Sequence, residues 1–318
     1  MRGSRIRTIQ SSRRPSAAQW IAAFVDRLRR MDLSPVTVRG YRYDLRQFFQ
    51  WWEQSKGRDP HLEKLSSLDL IRYRQYLVNV RTLKSTTINR RLEALRHFCR
   101  WAYATKRLKR QIALDVKPLQ VVRNVQPLGL VDAEVYSLLR VAGESTHGLA
   151  TRNYTLVQLL LQTGLRIGEV AALQVGDVVI RERTGMVRVR AGKGLKAREV
   201  PLNATARRAL RTYLTTREEP RPTAPLFVST RGEAMPTRTI QATLTHLARR
   251  AKLRRVRVSA HTLRHTFALT YIRQNPGKLV ELASLLGHES LDTTAIYTRP
   301  SREELAQDLE RSHLNVDG

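Results

Sequence analysis

"LLGHESLDTTAIYT", from Leu285 to Thr298, is the stretch on which the assignment of the fold depends. An apolar run ends at a Gly-His pair, which is typical of a helix C-terminus. A single tyrosine, Tyr297, follows nine residues after His288. Two interpretations of Tyr297 are open at this point. It is either a half-buried aromatic residue or a nucleophile with His288 beside it.

The composition points to a nucleic-acid partner. The chain has 318 residues, enough for two domains, and its 57 Lys+Arg against 27 Asp+Glu give a net charge of +30. The excess is +19 in residues 1–127 and +11 in residues 128–318. Such a surface attracts a polyanion, and double-stranded DNA is the first candidate because it releases counterions on binding. A membrane surface is the alternative, but no apolar run approaches the length of a membrane span and no signal peptide is evident.

Cys99 is the only cysteine of the chain. A single thiol cannot form an internal disulfide or a cysteine-rich metal site. Because Cys99 lies between apolar helix positions in "LRHFCRWA", we expect an inert core thiol. These features predict a cytoplasmic protein without a targeting segment.

The first third of the chain has helical periodicity. It predicts helices at about 17–31, 35–54, 67–79 and 85–105 within a DNA-binding domain that spans 16–105. Residues 1–15 are predicted to be a flexible basic arm, and 106–128, with scattered prolines and charges, an interdomain linker.

Two of these helices carry polar stripes opposite an apolar face. A bundle that binds DNA with both stripes is favoured over a solvated basic surface, because the domain is so basic. The predicted DNA contacts are Arg39, Arg42 and Arg46 on the second helix, and Asn89, Arg90, Arg96 and Arg100 on the fourth.

Residues 129–318 show a mixed pattern. Short strands are predicted at about 175–180, 186–190 and 197–201. Helices are predicted at about 131–142, 151–163, 166–173, 204–217, 237–251, 261–274, 278–286, 290–297 and 301–312. The strands and helices do not alternate as βαβ units, which argues against a parallel doubly wound sheet. The prediction is a mainly α protein with a small antiparallel sheet, in which a helical bundle and a mixed α+β domain form a C-shaped clamp on DNA.

"TGLRIGEVAAL", residues 163–173, places Arg166 at the start of a helix. A guanidinium there is opposed by the helix dipole unless an anion is bound, and helix N-termini bind phosphate. The alternative is a plain Arg166–Glu169 pair at i,i+3. "RVRAGKGLKAREVPL", residues 188–202, places Lys193 at a hairpin tip beside Lys196 and Arg198. Lys193 is either solvated or a mobile ammonium that reaches a phosphate or protonates a leaving oxygen.

"HTLRHTFALTY", residues 261–271, groups His261 and Arg264 on one side of a helix, with His265 next to them. A histidine and an arginine together suit an oxyanion, because the guanidinium fork matches phosphate geometry. A zinc site is the rival interpretation, since His261 and His265 are four residues apart. Arg264 between them disfavours a cation, and the glutamate of HExxH is missing. We predict no metal and no cofactor.

Together these residues suit phosphoryl transfer. Fixed cations can neutralise a phosphate in place of metal ions, and a tyrosine can form a covalent intermediate. A phosphotyrosine ester keeps the energy of the broken phosphodiester, so resealing needs no ATP. The sequence accordingly lacks a GxxxxGK[ST] motif.

The four stretches, in this order, resemble the signature boxes of the tyrosine recombinases, also called the phage integrase family, and most of all its bacterial Xer-type members. The likeness covers about 130–300 strongly and 16–105 more loosely. It implies a catalytic domain at 129–318 and site-specific recombination of DNA through a 3′-phosphotyrosine, without ATP or metal. A type IB topoisomerase and a non-catalytic DNA-binding regulator are the alternatives.

The resemblance also implies a role for each site residue. Arg166 and Arg264 grip the scissile phosphate, His288 hydrogen-bonds it, and Tyr297 attacks it. Lys193 is the general acid, His261 assists proton transfer at the nucleophile, and Glu169 is a supporting residue. Further DNA contacts are predicted at Lys196, Arg198, Arg238 and Gln241.

Members of the family act as tetramers on two synapsed sites. The resemblance therefore implies a homotetramer, or a heterotetramer with a second recombinase, and no membrane partner. A segment at about 300–318, with Leu305 and Leu309 as its apolar stripe, is either exchanged between neighbours or packed on its own subunit.

Overall fold

The computed structural model describes residues 15–56, 62–113, 115–121, 127–144, 149–190, 197–218, 220–288, 290–298, 305–306 and 309–310. The chain divides into two compact units, Met1–Arg123 and Asn124–Gly318. No helix in the described ranges is both long enough and apolar enough to cross a membrane.

The first unit is a helical bundle. Ser16 and Ser66 accept hydrogen bonds from the amides of Gln19 and Asp69 and so form capping boxes that begin two of the helices. The four predicted helices are confirmed, with ends within two residues of the prediction. They are α1 (Ala17–Arg30), α2 (Pro35–Lys56), α3 (Ser67–Asn79) and α4 (Ser85–Ala104), with a short 3-10 turn at Leu62–Lys64.

Aromatic side chains fill the centre of this bundle. Phe98 meets Phe24 edge-on at 5.4 Å between ring centroids, and Phe49 at 5.6 Å, an arrangement that aromatic quadrupoles favour. Cys99 beside it is fully buried and free, as expected. Burial raises the pKa of its thiol to about 12, so the thiol is unreactive in the folded protein.

The segment after α4 packs on the same core. Leu108, Ile112, Ala113 and Val116 are buried there, although 106–128 was expected to be a linker. The segment has no regular secondary structure, so its apolar residues show no period that a sequence pattern can detect. The first half of the expected linker therefore contributes to the core of the helical unit.

The second unit is mainly α with one small sheet, as predicted. Its three strands are antiparallel in the order β1-β2-β3, and Val187 pairs with Val178 on one side and Val200 on the other. The elements are α5 (Asp132–Gly143), α6 (Ala150–Thr163), α7 (Ile167–Ala172), β1 (Val178–Ile180), β2 (Gly185–Val189), β3 (Arg198–Pro201), α8 (Ala204–Thr215), α9 (Thr237–Arg250), α10 (Ala260–Gln274), α11 (Leu279–Leu286) and α12 (Asp292–Ala295).

Two predicted elements differ in their bounds, and a third lies mostly outside the described residues. The first strand begins only at Val178, because Val175–Asp177 forms a 3-10 turn in which the Asp177 carboxylate accepts the Gln174 N–H. The helix expected at 290–297 is reduced to α12. Most of the helix expected at 301–312 lies outside the described residues.

Helix α6 is the centre of the second unit, with Leu156, Val157, Leu159 and Leu160 all buried. It ends at Gly164 in the left-handed conformation, at φ +61°, which glycine adopts without strain. A Cβ on Gly164 would lie 2.4 Å from the ring of Phe267. The close approach of this turn to α10 places Arg166 near Arg264.

Candidate active site

The start of α7 carries Arg166 just before the helix and Glu169 in its first turn. The Arg166 N–H donates to Glu169 Oε2 at 2.8 Å, and Arg166 Nη1 donates to Oε1 at 3.1 Å. The i,i+3 pair considered in the sequence therefore forms. Arg166 Nη2 also donates to the carbonyl of Gly287 at 2.9 Å, and the side chain remains 35% exposed. The pair holds Arg166 in place and leaves part of its guanidinium accessible to an anion.

Helix α10 carries Arg264, which is almost fully buried. Its Nη1 donates to Gly164 O at 2.7 Å, and its Nη2 donates to Leu286 O at 2.8 Å. The same Nη2 lies 2.8 Å from Nε2 of His288. Burial, with a contribution from nearby Arg166, lowers the pKa of Arg264 to about 10. The guanidinium is therefore still charged at neutral pH.

The contact with Arg264 defines the state of His288. An arginine only donates, so His288 Nε2 must accept. In the neutral ring the proton is then on Nδ1, which donates to Thr294 Oγ1 at 2.8 Å. Burial and the charge of Arg264 lower the pKa of His288 to about 4. The ring is a neutral bridge between Arg264 and the segment that carries Tyr297.

Tyr297 is buried, with 3% of its surface exposed, in a small apolar cluster with Ala268, Leu282 and Leu286. Its hydroxyl lies 2.8 Å from Nδ1 of His265. Burial raises the pKa of Tyr297, and Arg264 partly opposes this. Tyr297 is thus a buried aromatic residue, and it is close enough to Arg264 for that charge to act on its hydroxyl.

The histidine at the phenol is His265, where the sequence suggested His288 or His261. His261 is exposed. The centroid of its ring lies 4.1 Å from that of His265, so His261 contacts His265, and His265 contacts Tyr297. Burial, with smaller contributions from His261 and Arg264, lowers the pKa of His265 to about 4. One feature of the sequence could have pointed to His265. It lies one helix turn before Ala268 and Leu269, so it shares the face of α10 that packs against Tyr297.

Arg198, expected to contact DNA, makes its contacts within the protein. Its Nη1 and Nη2 donate to Glu169 Oε1 and Oε2, both at 2.9 Å, and its Nε donates to Leu285 O at 3.1 Å. Only 12% of the side chain is exposed. The difference arises because β3 lies beside α11, which the sequence pattern does not reveal. Lys193 and Lys196 lie outside the described residues.

In the first unit, the polar stripe of α4 is largely occupied. Both amide atoms of Asn89 bind the backbone of Leu119 at 2.8 Å. Arg96 donates to the carbonyl of Val116, and Arg90 forms a two-point ion pair with buried Asp44. Asn89 and Arg96 thus hold the segment that follows α4, and Arg90 binds helix α2. The sequence suggested DNA contacts for all three.

The remaining predicted DNA contacts differ in exposure. Arg39, Arg46, Arg100 and Arg238 are exposed, and Arg42 is half-buried. Gln241 is half-buried on α9, where its Oε1 accepts the Ala260 N–H at 3.4 Å and its Nε2 donates to Val258 O at 3.4 Å. It connects α9 to the start of α10. Within the described ranges, no group of three or more His, Cys, Asp or Glu side chains is placed to hold a metal ion.

Comparison with known proteins identifies the family of the chain. Residues 130–304 match the phage integrase family, and residues 21–106 match the phage integrase N-terminal SAM-like domain. The chain belongs to the phage integrase family. The resemblance seen in the sequence is thereby confirmed, and with it the enzyme class of tyrosine recombinases.

Relatives of this integrase-family protein match it over nearly its whole length. It is 32% identical over 301 residues to tyrosine recombinase XerD of Ralstonia nicotianae, and the match covers 92% of each chain. It is 33% identical over 286 residues to tyrosine recombinase XerC of Pelobacter propionicus, which covers 89% of this chain and 90% of the relative. A solved post-cleavage complex of XerH recombinase with a palindromic difH substrate shares its fold, with a TM-score of 0.73 at 21% identity over 93% of this chain and 84% of that chain.

Proposed function

We propose that this chain is a site-specific DNA recombinase that cuts and rejoins strands through a covalent 3′-phosphotyrosine at Tyr297. The observation that carries the proposal is that Arg166, Arg264 and His288 meet at the end of α11, while Tyr297 contacts His265, the residue that follows Arg264. The two guanidinium groups are fixed donors suited to the oxygens of one phosphate.

The phosphate is bound by residues whose orientation is already fixed. Arg264 is held by two helix-end carbonyls, and Arg166 by Glu169 and Gly287. Positive charges that are positioned before the substrate arrives need little reorganisation during the reaction. His288 Nδ1 donates to Thr294 before DNA binds. We assign its N–H to the same phosphate once the segment that carries Thr294 and Tyr297 has moved.

The reaction proceeds by exchange of one phosphate ester for another. The Tyr297 oxygen attacks phosphorus, and the bond to the 5′-oxygen breaks. The phenol proton passes to the histidine pair of His261 and His265, and Lys193 protonates the leaving 5′-oxygen. A 5′-hydroxyl from another strand then attacks the phosphotyrosine and releases Tyr297, so the bond energy is conserved without ATP.

Tyr297 must move before this reaction. Only 3% of the residue is exposed, and its hydroxyl is held by His265 Nδ1 at 2.8 Å, so the phenol has to leave this position to meet a phosphate. Helix α12, which precedes Tyr297, has only 4 residues, and so short a helix is weakly stabilised by its own hydrogen bonds. We infer that DNA binding shifts the segment 290–298 so that the phenol faces Arg264.

For the assembly, we propose a tetramer in which the segment near the C-terminus docks on a neighbouring subunit. A groove of about 910 Å³ between β3, α10 and α11 is lined by Phe267, Tyr271 and Val280, the last 64% exposed. Leu305 and Leu309 are 47% and 72% exposed. Their apolar side chains would fit the groove of a neighbouring subunit. Truncation after residue 300 is expected to abolish tetramers on paired DNA sites while single-site binding persists. Unchanged assembly in sedimentation experiments would contradict this.

A nicked suicide duplex tests the catalytic proposal. Cleavage near the nick releases a short fragment that cannot religate, so the protein–DNA adduct accumulates and survives denaturation. The parent protein is expected to form it, and Tyr297→Phe is expected to bind the duplex without forming it. An adduct with Tyr297→Phe would assign the nucleophile elsewhere, and no adduct with the parent would favour a DNA-binding regulator. Recombination of a two-site substrate separates the recombinase from a topoisomerase that only relaxes supercoils.

A further inference from the structure

Three arginines converge on three consecutive carbonyls at the end of α11. Arg198 donates to Leu285 O at 3.1 Å, Arg264 to Leu286 O at 2.8 Å, and Arg166 to Gly287 O at 2.9 Å. The last carbonyls of a helix lack partners within the helix, and positive charge is favoured beside them. Arg166 and Arg264 have roles in the proposed reaction, whereas Arg198 has none.

Arg198 differs from Arg264 in how its charge is balanced. Both terminal nitrogens of Arg198 donate to the Glu169 carboxylate at 2.9 Å. The hydrogen-bond partners of Arg264 in the described ranges are two carbonyls and a neutral histidine ring. A phosphate is therefore attracted to Arg264, while the charge of Arg198 is already compensated.

Glu169 is shared between two arginines. Its Oε1 accepts from Nη1 of both Arg166 and Arg198, at 3.1 and 2.9 Å. Its Oε2 accepts from the Arg166 N–H and from Arg198 Nη2, at 2.8 and 2.9 Å. Burial raises the pKa of Glu169, but the hydrogen bonds and charges of the two arginines lower it further, to a value below the ordinary one. One carboxylate between two guanidinium groups leaves a net charge of +1 in this cluster.

That net charge depends on Arg198. Without it, Glu169 and Arg166 form a neutral pair, and a neutral pair attracts a phosphate weakly. The carboxylate, only 8% exposed, would then be neutralised by Arg166 alone and would draw the guanidinium toward itself. Arg198 satisfies Glu169, so Arg166 keeps its charge for the substrate.

Arg198 also supports the backbone before His288. Gly287 is left-handed, at φ +63°, and a Cβ there would lie 2.7 Å from Arg198 Nη1. The guanidinium thus packs directly on the Gly287 backbone, where only a hydrogen fits. Loss of Arg198 removes this support from the residue that precedes His288.

We propose that Arg198 is a positioning residue of the reaction: it neutralises Glu169 and fixes the end of α11, and so keeps Arg166 and His288 in place to act on a phosphate. The inference rests on the proposed function, since it concerns the same phosphate site. It replaces the DNA contact that the sequence suggested for Arg198.

The test compares Arg198→Met, Glu169→Gln and the double variant in single-turnover cleavage of the suicide duplex, with binding measured separately. Arg198→Met is expected to slow cleavage by about 100-fold, as for loss of one fixed donor in an active site. Its Kd for DNA is expected to stay within about threefold, because a shielded arginine releases few counterions. The double variant is expected to cleave faster than Arg198→Met, since removal of the carboxylate charge makes its neutralisation unnecessary. A merely structural role predicts no such rescue.

The outcomes are separable. Parental cleavage by Arg198→Met, or a double variant no faster than Arg198→Met, would overturn the inference. If Arg198→Met does not fold, Arg198→Gln takes its place. It is polar but uncharged, so it cannot neutralise Glu169, and a parental rate for this variant likewise overturns the inference. The parent and Tyr297→Phe are run in parallel, because absence of an adduct with the parent would show that the proposed function itself is wrong.

Discussion

The hydroxyl of Tyr297 lies 2.8 Å from Nδ1 of His265 in a buried apolar cluster. This hydrogen bond satisfies a polar group that would otherwise be enclosed without a partner, which costs about 1–3 kcal/mol. It joins the segment 290–298 to α10, the helix that carries Arg264. The contact therefore stabilises the closed position of the proposed nucleophile.

A double-mutant cycle measures this contact. Tyr297→Phe and His265→Phe are each expected to lower the free energy of unfolding of the second unit, because each leaves one polar group unpaired. The coupling between them is expected to be about 0.5–1.5 kcal/mol, the net value of one hydrogen bond. Urea unfolding of the parent, both single variants and the double variant provides the four values. Strict additivity would show that the two groups do not interact in solution.

Stability is expected to fall as the pH decreases from about 6.5 to about 4. The pKa values of His265 and His288 are lowered to about 4 in the folded protein, whereas an unfolded histidine titrates near 6.5. Across this window the unfolded chain binds more protons, so acid favours unfolding. The contribution of the two neutral rings is complete above pH 6.5. Because both rings are partly exposed, each contributes less than the roughly 1.4 kcal/mol per pH unit of a full proton.

Urea unfolding across this pH window checks the prediction. His288→Gln and His265→Asn are expected to flatten the dependence. His246→Asn, at an exposed position of α9, is the matched control for removing an imidazole. Parental slopes in both site variants would mean that the rings are not held neutral by the fold.

Gly164 and Gly232 separate backbone strain from steric collision. Both are left-handed, at φ +61° and +76°, but a Cβ on Gly232 meets nothing within 4 Å, whereas on Gly164 it lies 2.4 Å from Phe267. Gly232→Ala is expected to cost about 1 kcal/mol for the conformation alone. Gly164→Ala is expected to cost about 3 kcal/mol or more, because overpacking of the core adds to the strain. Equal losses in thermal unfolding would mean that the α6–α10 contact is looser than described.

The salt dependence of DNA affinity tests the basic face of the first unit. Arg39 and Arg46 are exposed on α2, and replacement of either by Ala is expected to reduce the slope of log K against log salt by about one. Arg96→Ala is the contrast, because Arg96 donates to Val116 O. It is expected to destabilise the unit by about 1–3 kcal/mol and to leave the slope unchanged. A slope change only in Arg96→Ala would place the DNA on α4.

Local spacing in the sequence predicted those features that depend on one helix turn or one strand pair. The helix ends at Gly164 and Gly287 and the antiparallel sheet belong to this class. The Arg166–Glu169 pair, which the spacing offered as an alternative, also forms. Contacts between distant segments were not predictable in this way. Arg198 meets Leu285 across 87 residues, and Asn89 meets Leu119 across 30. A basic residue on a polar face looks the same in a sequence whether it binds DNA or a carbonyl of its own chain.

His265 shows the same limit within the site. The motif "HTLRH" offers two histidines, and the family resemblance favoured His261 for the nucleophile. The choice of His265 depends on which face of α10 meets the segment 290–298, and this is a property of the packed unit. The distance of 2.8 Å to Tyr297 is therefore a result that only the structure provides.

The most direct test of the account is to identify the residue that holds the DNA. The adduct trapped on a suicide duplex is digested with protease and nuclease, and the modified peptide is sequenced by mass spectrometry. If Tyr297 is the nucleophile, one peptide is expected, with a nucleotide joined through its 3′-phosphate to the Tyr297 oxygen. A nucleotide on any other residue, Tyr271 for example, or a 5′-phosphate linkage, would contradict it.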